Sequence, residues 1–330
     1  MPRSEGFDEA RTPGRATQTA LGLGLLLVPG LALFTVHAIS GSAPIAAAVA
    51  LSSSSSIQLV AERIWPARPL APHSASQLAV EAFQGIVYGL VLGVGTILVV
   101  AALVSAAKQG LGLTFALALP IWGQALVLVV ASDFLDYFRH RHEHESNGIF
   151  WRVHSVHHSI REFSLLSGLA IHPLEPVFTF ASYGLVAGLL GLSFDATILG
   201  FTIAMIAMGA QHANACSRIG WLSNVIAHID GHRWHHDRAL SQGRNVNYAN
   251  VLSLWDRLWG TFQPALPFGG EYGIEPFRDA YPNDLVGQAR MGLAAEYARR
   301  ERAAISKATS AGGGAAPRDG PGAPLARGVA

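Results

Sequence analysis

Apolar residues run almost without interruption from Ala16 to Ile39, Ala43 to Val60, Ala82 to Ala107 and Leu111 to Ser132. Each run is near the roughly 20 residues that an α-helix needs to cross a hydrocarbon core about 30 Å thick. Two shorter runs, Leu174 to Leu192 and Asp195 to Ala210, meet around the turn "GLSFD" and predict a tight helical hairpin. The five serines in "LSSSSSIQL" make the second run the weakest of the six. The first run is longer than the 7 to 15 apolar residues of a secretion signal and lacks a small-residue cleavage site, so it reads as a retained helix.

Composition supports this pattern. The chain has 330 residues, of which 50% are hydrophobic and only 14% charged, too few charges to cover an ordinary soluble domain. A net charge of +1 with no basic stripe argues against a nucleic-acid partner. Cys216 is the only cysteine, so neither a disulfide framework nor a CxxC site is available. The expected architecture is an all-α integral membrane protein, a helical transmembrane bundle of about 4–6 spans with a cytoplasmic histidine-rich helical cap. It divides into an N-terminal cytoplasmic tail (1–15), transmembrane helices (16–132), a histidine-box domain (133–262) containing the membrane hairpin (about 174–210), a C-terminal cytoplasmic segment (263–303) and a disordered tail (304–330) rich in Gly, Ala and Pro.

Charge fixes the expected orientation. Arg3, Arg11 and Arg15 precede the first run, Arg63 and Arg68 follow the second, and Arg139, Arg141, Arg152 and Arg161 flank the histidines. Lys108 is the single cation between the third and fourth runs. The positive-inside rule then puts both termini and the histidine clusters in the cytoplasm.

The polar positions that remain are unusual. "HRHEHESNGIFWRVHSVHH" holds six of the fourteen histidines within nineteen residues, His140 to His158. Three patterns recur: His140 with His144; His154 with His157 and His158; and His232 with His235 and His236. On a helix, residues three and four apart share a face, so each pattern aims its imidazoles in one direction. Eight convergent histidines exceed the three or four ligands of a typical zinc site and suit two metal ions in one pocket. A single such pattern arises by chance, whereas three beside one membrane face do not. His142 lies about 200° round the helix from its neighbours and should face away. His212, in "GAQHANA", is at the end of the sixth run and within reach of the cluster. His172 and His228 are possible further ligands or outer-shell groups, while His37 and His73 read as incidental. Asp136, four residues before His140, and Asp237, next to His236, are candidates to accept the second N–H of a metal-bound imidazole. For Asp133 and Asp136 the competing reading is solvation at the membrane interface.

Together "DFLDYFRHRHEH", "FWRVHSVHHS", "HPLE", "QHAN", "HRWHHD" and "NVNYANVLSLWDRLWGTF" resemble the fatty acid hydroxylase and sterol desaturase superfamily of membrane histidine-box di-iron oxygenases. The resemblance covers about 132–262. It implies two non-haem Fe ions, O2 as co-substrate, and His140, His144, His154, His157, His158, His212, His232, His235 and His236 as metal ligands. Where some members carry another histidine this chain has Cys216, which leaves Cys216, His228, His172 or water as the tenth ligand. Asn247, a further candidate metal ligand or outer partner, and Tyr248 match a family "NYG" element with Ala249 in place of glycine, and Asp256 and Arg257 read as structural.

The implied chemistry explains the residue types. Attack on an unactivated C–H bond requires a redox metal. Hydroxylation and desaturation of a lipid, sterol-like or isoprenoid substrate are equally open. The chain has no GxGxxG fingerprint and no cysteine cluster, so electrons must come from an external donor such as a ferredoxin, cytochrome or reductase. The competing classes are a metal transporter, which should place ionisable residues along a path through the membrane, and a zinc-dependent membrane hydrolase, against which the excess of imidazoles and the missing HExxH count. An inactive relative is a further alternative, opposed by three intact boxes.

Overall fold

A computed structural model describes residues 12–69, 74–113, 115–146, 148–238, 246–264, 270–277 and 280–311. His73, residues 1–11 of the expected tail and residues 312–330 lie outside them. Helices account for the fold: no β-strand occurs among the described residues, and one isolated bridge joins Pro66 to Ala215.

Four helical stretches are long and apolar enough to cross a membrane. They are α1 (Arg15–Ser40), α2 (Ala43–Ile64), the continuous stretch Ala75–Gly110, and α5 (Ile121–Glu145). The third is composite: α3 (Ala75–Phe83) passes into a π-helical segment (Gln84–Leu92) and then α4 (Gly93–Gly110). It begins earlier than its apolar run because Ser74 and Gln77 form a reciprocal capping box. The serines do not break α2: the Ser53 hydroxyl donates to Val49 O, and Gln58 Nε2 donates to Ser54 Oγ in the interior, so both hydroxyls are bonded within the helix.

The fourth run breaks differently from its hydrophobicity. The described residues between Leu111 and Pro120 are not helical, Gly112 adopts φ 70°, and α5 starts only after Pro120, whose fixed φ suits a helix start. From there α5 continues without interruption to Glu145. The boundary expected at 132/133 therefore falls inside one helix, which joins the membrane bundle to the first histidine pair.

Two shorter apolar helices follow, α7 (Glu175–Leu190) and α8 (Phe194–Ala210). Their lengths of 16 and 17 residues correspond to roughly 24–26 Å, short of a full crossing. Gly191, at φ 61°, turns one into the other, but they splay around α5 rather than pair along their lengths. α7 lies against α4 and α5, α8 against α2 and α5, and the two meet mainly through Phe180, Tyr183 and Phe201. Small residues set the α4–α7 approach: a Cβ on Gly184 would lie 2.6 Å from Ile97 O, and one on Gly188 2.8 Å from Ala101 O. Close backbone contact of this kind is how helices associate in lipid, where apolar burial alone gives little drive. Leu27, Leu31 and Leu103 are more than 60% exposed on the outside, which fits lipid contact.

The cap comprises α6 (Ile149–His158), α9 (Ile229–His235), α10 (Leu254–Trp259), α11 (Leu285–Met291) and α12 (Ala294–Ala311). Val156 of α6 packs with Ile274, Phe277, Tyr281 and Met291, and the Ser155 and Tyr281 hydroxyls are 2.7 Å apart. That cover leaves the other face of α6 to the histidines. α12 reaches Ala311, so the first residues of the expected tail, 304–311, are helical; Ala-, Arg- and Glu-rich sequence sustains the helix up to the glycine run.

Candidate metal centre

The last two turns of α5 carry His140 and His144, while His142 is exposed on the opposite side. α6 contributes His154, His157 and His158; α9 and its C-cap contribute His232, His235 and His236; His212 sits in the turn just after α8. The structure brings all nine together. They divide into a group of five, His140, His144, His154, His158 and His235, and a group of four, His157, His212, His232 and His236; within each, one nitrogen per ring lies within 4.8 Å of the others. The groups adjoin: the His158 and His236 rings stack with centroids 4.1 Å apart.

Facing nitrogens test whether a metal fits. His232 Nε2 is 3.0 Å from His212 Nε2 and 3.1 Å from His236 Nε2, and His212 Nε2 is 3.1 Å from His157 Nε2. Each ring nitrogen offers one proton or one lone pair, so at most two of these three contacts can be hydrogen bonds. A shared cation satisfies all four lone pairs, and about 3 Å is the separation of adjacent ligands on an ion bound at roughly 2.0–2.1 Å. Both nitrogens of His158, Nε2 of His235 and Nδ1 of His236 are buried without a hydrogen-bond partner, which in an ordinary core would be costly. Burial, reinforced by neighbouring imidazoles, holds His154, His157, His158, His232 and His236 well below the usual imidazole range. Burial brings His212 down to about 4, and burial with the neighbouring His212 ring brings His235 down to about 4. These rings are neutral at pH 7, the form that binds a metal.

The outer partners were mostly hidden from sequence. His154 Nδ1 donates to Glu175 Oε1 at 2.9 Å, and Glu143 Oε2 is 3.5 Å away. Arg139 ties Asp136, Glu143 and Glu175 into one buried ionic network. His140 Nδ1 donates to Tyr248 O at 2.6 Å and His235 Nδ1 to Val246 O at 2.8 Å. The Val246–Tyr248 segment is thus a strap whose carbonyls orient two rings of the larger group. Asn247, at φ 57°, shapes it and donates to Gly231 O and Gln263 O. Asp256 accepts from the backbone of Tyr248 and Ala249, while Asp133 accepts from Val251 N, Leu252 N and Trp255 Nε1. Asp256 therefore ties the strap to α10, and Asp133 ties the segment that follows the strap to α5, both as buried clamps. Glu62 does similar work beside His212, accepting from Leu165 N and Asn214 N. A Cβ on Gly168 would lie 2.7 Å from His212 Cβ, so this close approach requires glycine.

Other expected site residues lie elsewhere. Asp136 shares a helical face with His140 but bonds to Arg139 and Asn250, because the Tyr248 carbonyl already occupies His140 Nδ1. His172 donates from Nε2 to Ala289 O and accepts Leu174 N–H at Nδ1, so both nitrogens are engaged away from the cluster. His228 caps α9 through its carbonyl and belongs to neither group; Asp230 lies 3.8 Å from its ring. Asp237 is buried beside Gly270, not in either group. Cys216 turns its thiol to Pro66 O, 3.4 Å away, which removes it as a tenth ligand. His37 packs edge-on against Trp122, far along α1 from the cap. Glu175 was present in the "HPLE" motif but carried no spacing cue linking it to His154, 21 residues earlier.

Beside the histidines lies a cavity of about 200 Å³. His140, His154, His157, His212 and His232 line its inner end; Leu51, Leu90, Leu169 and Met205 are among its apolar walls.

An all-helical membrane protein with paired imidazole groups suited to metal and an adjoining apolar cavity defines the class. Residues 125–261 match the fatty acid hydroxylase family, in keeping with the resemblance of that region to the fatty acid hydroxylase and sterol desaturase superfamily. It is 28% identical over 203 residues to the ornithine lipid hydroxylase OlsE of Rhizobium tropici, covering 57% of this chain and 60% of that protein. It is 32% identical over 138 residues to the alkylglycerol monooxygenase of Xenopus tropicalis, covering 40% and 29%. It is 27% identical over 146 residues to a very-long-chain aldehyde decarbonylase of Oryza sativa subsp. indica, covering 43% and 55%. The chain thus spans less than two thirds of the length of each. No solved structure matches it.

Proposed function

We propose that this protein is a membrane-bound di-iron oxygenase that uses O2 and external electrons to hydroxylate a lipid. The observation that carries this reading is the convergence of nine imidazoles, in groups of five and four, five of which line a largely apolar cavity. The five-membered group would hold one non-haem iron and the four-membered group the other. Bound there, the irons supply the redox chemistry that side chains lack. In balance, one C–H bond becomes C–OH while O2, two electrons and two protons yield the inserted oxygen and one water.

The chain's own groups prepare the site. Glu175 and the strap carbonyls fix which nitrogen of His154, His140 and His235 turns inward. Apolar walls keep water from the reacting carbon. Relatives that act on ornithine lipid and alkylglycerol favour hydroxylation of a polar lipid over desaturation of a sterol-like or isoprenoid chain. Arginines around the cap favour a cytoplasmic cluster and termini, reached by a separate ferredoxin, cytochrome or reductase. A transporter reading is less well supported, because the histidines gather at one end of the bundle instead of lining a path through it. A zinc hydrolase is less well supported too, since the nearby carboxylates are engaged by Arg139.

The test is elemental analysis of protein purified from iron-supplemented cells, followed by lipid mass spectrometry with and without expression under 18O-labelled oxygen. About two irons per chain and a lipid that gains labelled oxygen are expected. Zinc alone under these conditions, or lipids that change only by hydrogen loss, would reject the hydroxylase reading.

A further inference from the structure

The cavity meets the third span where that span is π-helical. Gln84, at the start of the π segment, is buried and donates to both Ile171 O and Gln288 Oε1, which locks the segment against the loop before α7 and against α11. Two glycines of this segment, Gly85 and Gly89, line the cavity. They differ in what a side chain would meet. At Gly85 a Cβ would strike the Leu169 side chain at 2.7 Å, so that glycine serves the close fit of the segment on its neighbour. At Gly89 nothing but Gln84 O, 4.0 Å away, comes near. The space beyond Gly89 is the cavity itself. Its neighbour Leu90 also lines the cavity yet is 53% exposed on the lipid side, so this stretch is where the cavity approaches the outside of the bundle.

Alanine would fit at Gly89 sterically and would favour a helix by about 1 kcal/mol. Packing therefore gives no reason for glycine here. π-helical insertions concentrate at functional positions because they shift which residues face inward. We propose that Gly89 is a specificity-determining residue: by leaving out a side chain it admits a single aliphatic chain between the π segment and α8 to the histidine cluster, and added bulk at 89 limits how much chain enters. This rests on the lipid-oxygenase reading for its consequence in catalysis, but chain binding can be measured separately.

The probe is a sixteen-carbon fatty alcohol with a diazirine near its methyl end, photolysed with the full-length protein in phospholipid nanodiscs and mapped by peptide mass spectrometry. Wild type should be labelled at cavity residues such as Met205, Met208 and Leu169. Gly89→Ala should lower that labelling several-fold and Gly89→Leu by about tenfold or more, in the range that one or two misplaced methylenes produce in a fitted pocket. Gly95→Leu is the control, since Gly95 has nothing within 4 Å and lies outside the cavity lining; it should label like wild type. If Gly89→Leu does not elute as a monodisperse particle, Gly89→Ala decides. Equal cavity labelling in wild type and the tested Gly89 variant, equal loss in Gly95→Leu, or labelling of wild type only outside the cavity overturns the proposal. Labelling that depends on residue 89 in an iron-loaded protein that oxygenates no lipid would reject the oxygenase and keep this assignment; lipid oxygenation with labelling indifferent to residue 89 would do the reverse.

Discussion

The two imidazole groups use the same residue type but are held in different ways. In the group of five, three rings are anchored from behind: His154 by Glu175, His140 by Tyr248 O and His235 by Val246 O. In the group of four, the best contacts are those between the rings, the chain of Nε2 atoms from His157 through His212 and His232 to His236; behind His212 there is only Met208 O at a long 3.3 Å. The group of five thus has more anchoring from outside its rings, so an ion bound in the group of four would add more of that group's order. A preorganised site binds more tightly because less ordering remains to be done on binding. The group of five should therefore load first and empty last.

Removing one ring from each group is the strongest way to break this comparison. His235→Ala and His157→Ala should each abolish lipid oxygenation while the protein still inserts in the membrane. Metal content separates them: each should fall from about two ions per chain toward about one, with the loss confined to the altered group. Elemental analysis combined with Mössbauer spectroscopy reads this directly. Unchanged iron in either variant would remove that histidine from the proposed ligand set.

A smaller effect is expected from the carboxylate behind His154. Glu175→Gln keeps an acceptor for Nδ1 but removes a charge from the Arg139 network, and loss of such outer partners typically costs 10–100-fold in metal affinity. The cost should fall on the group of five alone, so that chelator competition shows two similar release phases where wild type shows a slow one and a fast one. If release from the group of four accelerates instead, the assignment of Glu175 to one group is wrong.

Asp256 tests the strap. In Asp256→Ala, the Tyr248 and Ala249 N–H groups lose their buried acceptor, at about 1–3 kcal/mol for each group left unpaired. Thermal unfolding in detergent should shift downward, with weakened iron retention in the group that contains His140 and His235. A stability loss with both groups equally affected would make Asp256 a general clamp only.

These outer contacts also mark how far sequence could be read. The ligand candidates stood out because a 3.6-residue repeat turns HxxxH and HxxHH into a one-sided display. The boundaries of α5 did not, since hydrophobicity runs through Leu111 to Ser132 while Pro120 decides where the helix begins. Backbone acceptors such as Val246 O and Tyr248 O carry no residue signature, and Glu175 meets His154 only after α6 and α7 have folded together. Asp136 shows the limit from the other side: a correct helical face led to the wrong partner, because a carbonyl from a segment more than a hundred residues away reached His140 first. Local periodicity predicts direction, and tertiary contacts decide what lies there.

The smallest expected effect is also the sharpest check on geometry. His142 lies between two proposed ligands on the same helix, yet it is exposed and its ring meets Phe150, with centroids 5.2 Å apart, instead of the cluster. His142→Ala should leave both iron populations, their release rates and lipid oxygenation unchanged, with stability within about 0.5 kcal/mol of wild type, as for most surface substitutions. A loss of iron in this variant would mean that the end of α5 rotates or unwinds when metal binds, and the division into five and four would have to be redrawn. An unchanged variant would establish that membership of the centre follows the face of the helix and not the density of histidines along it.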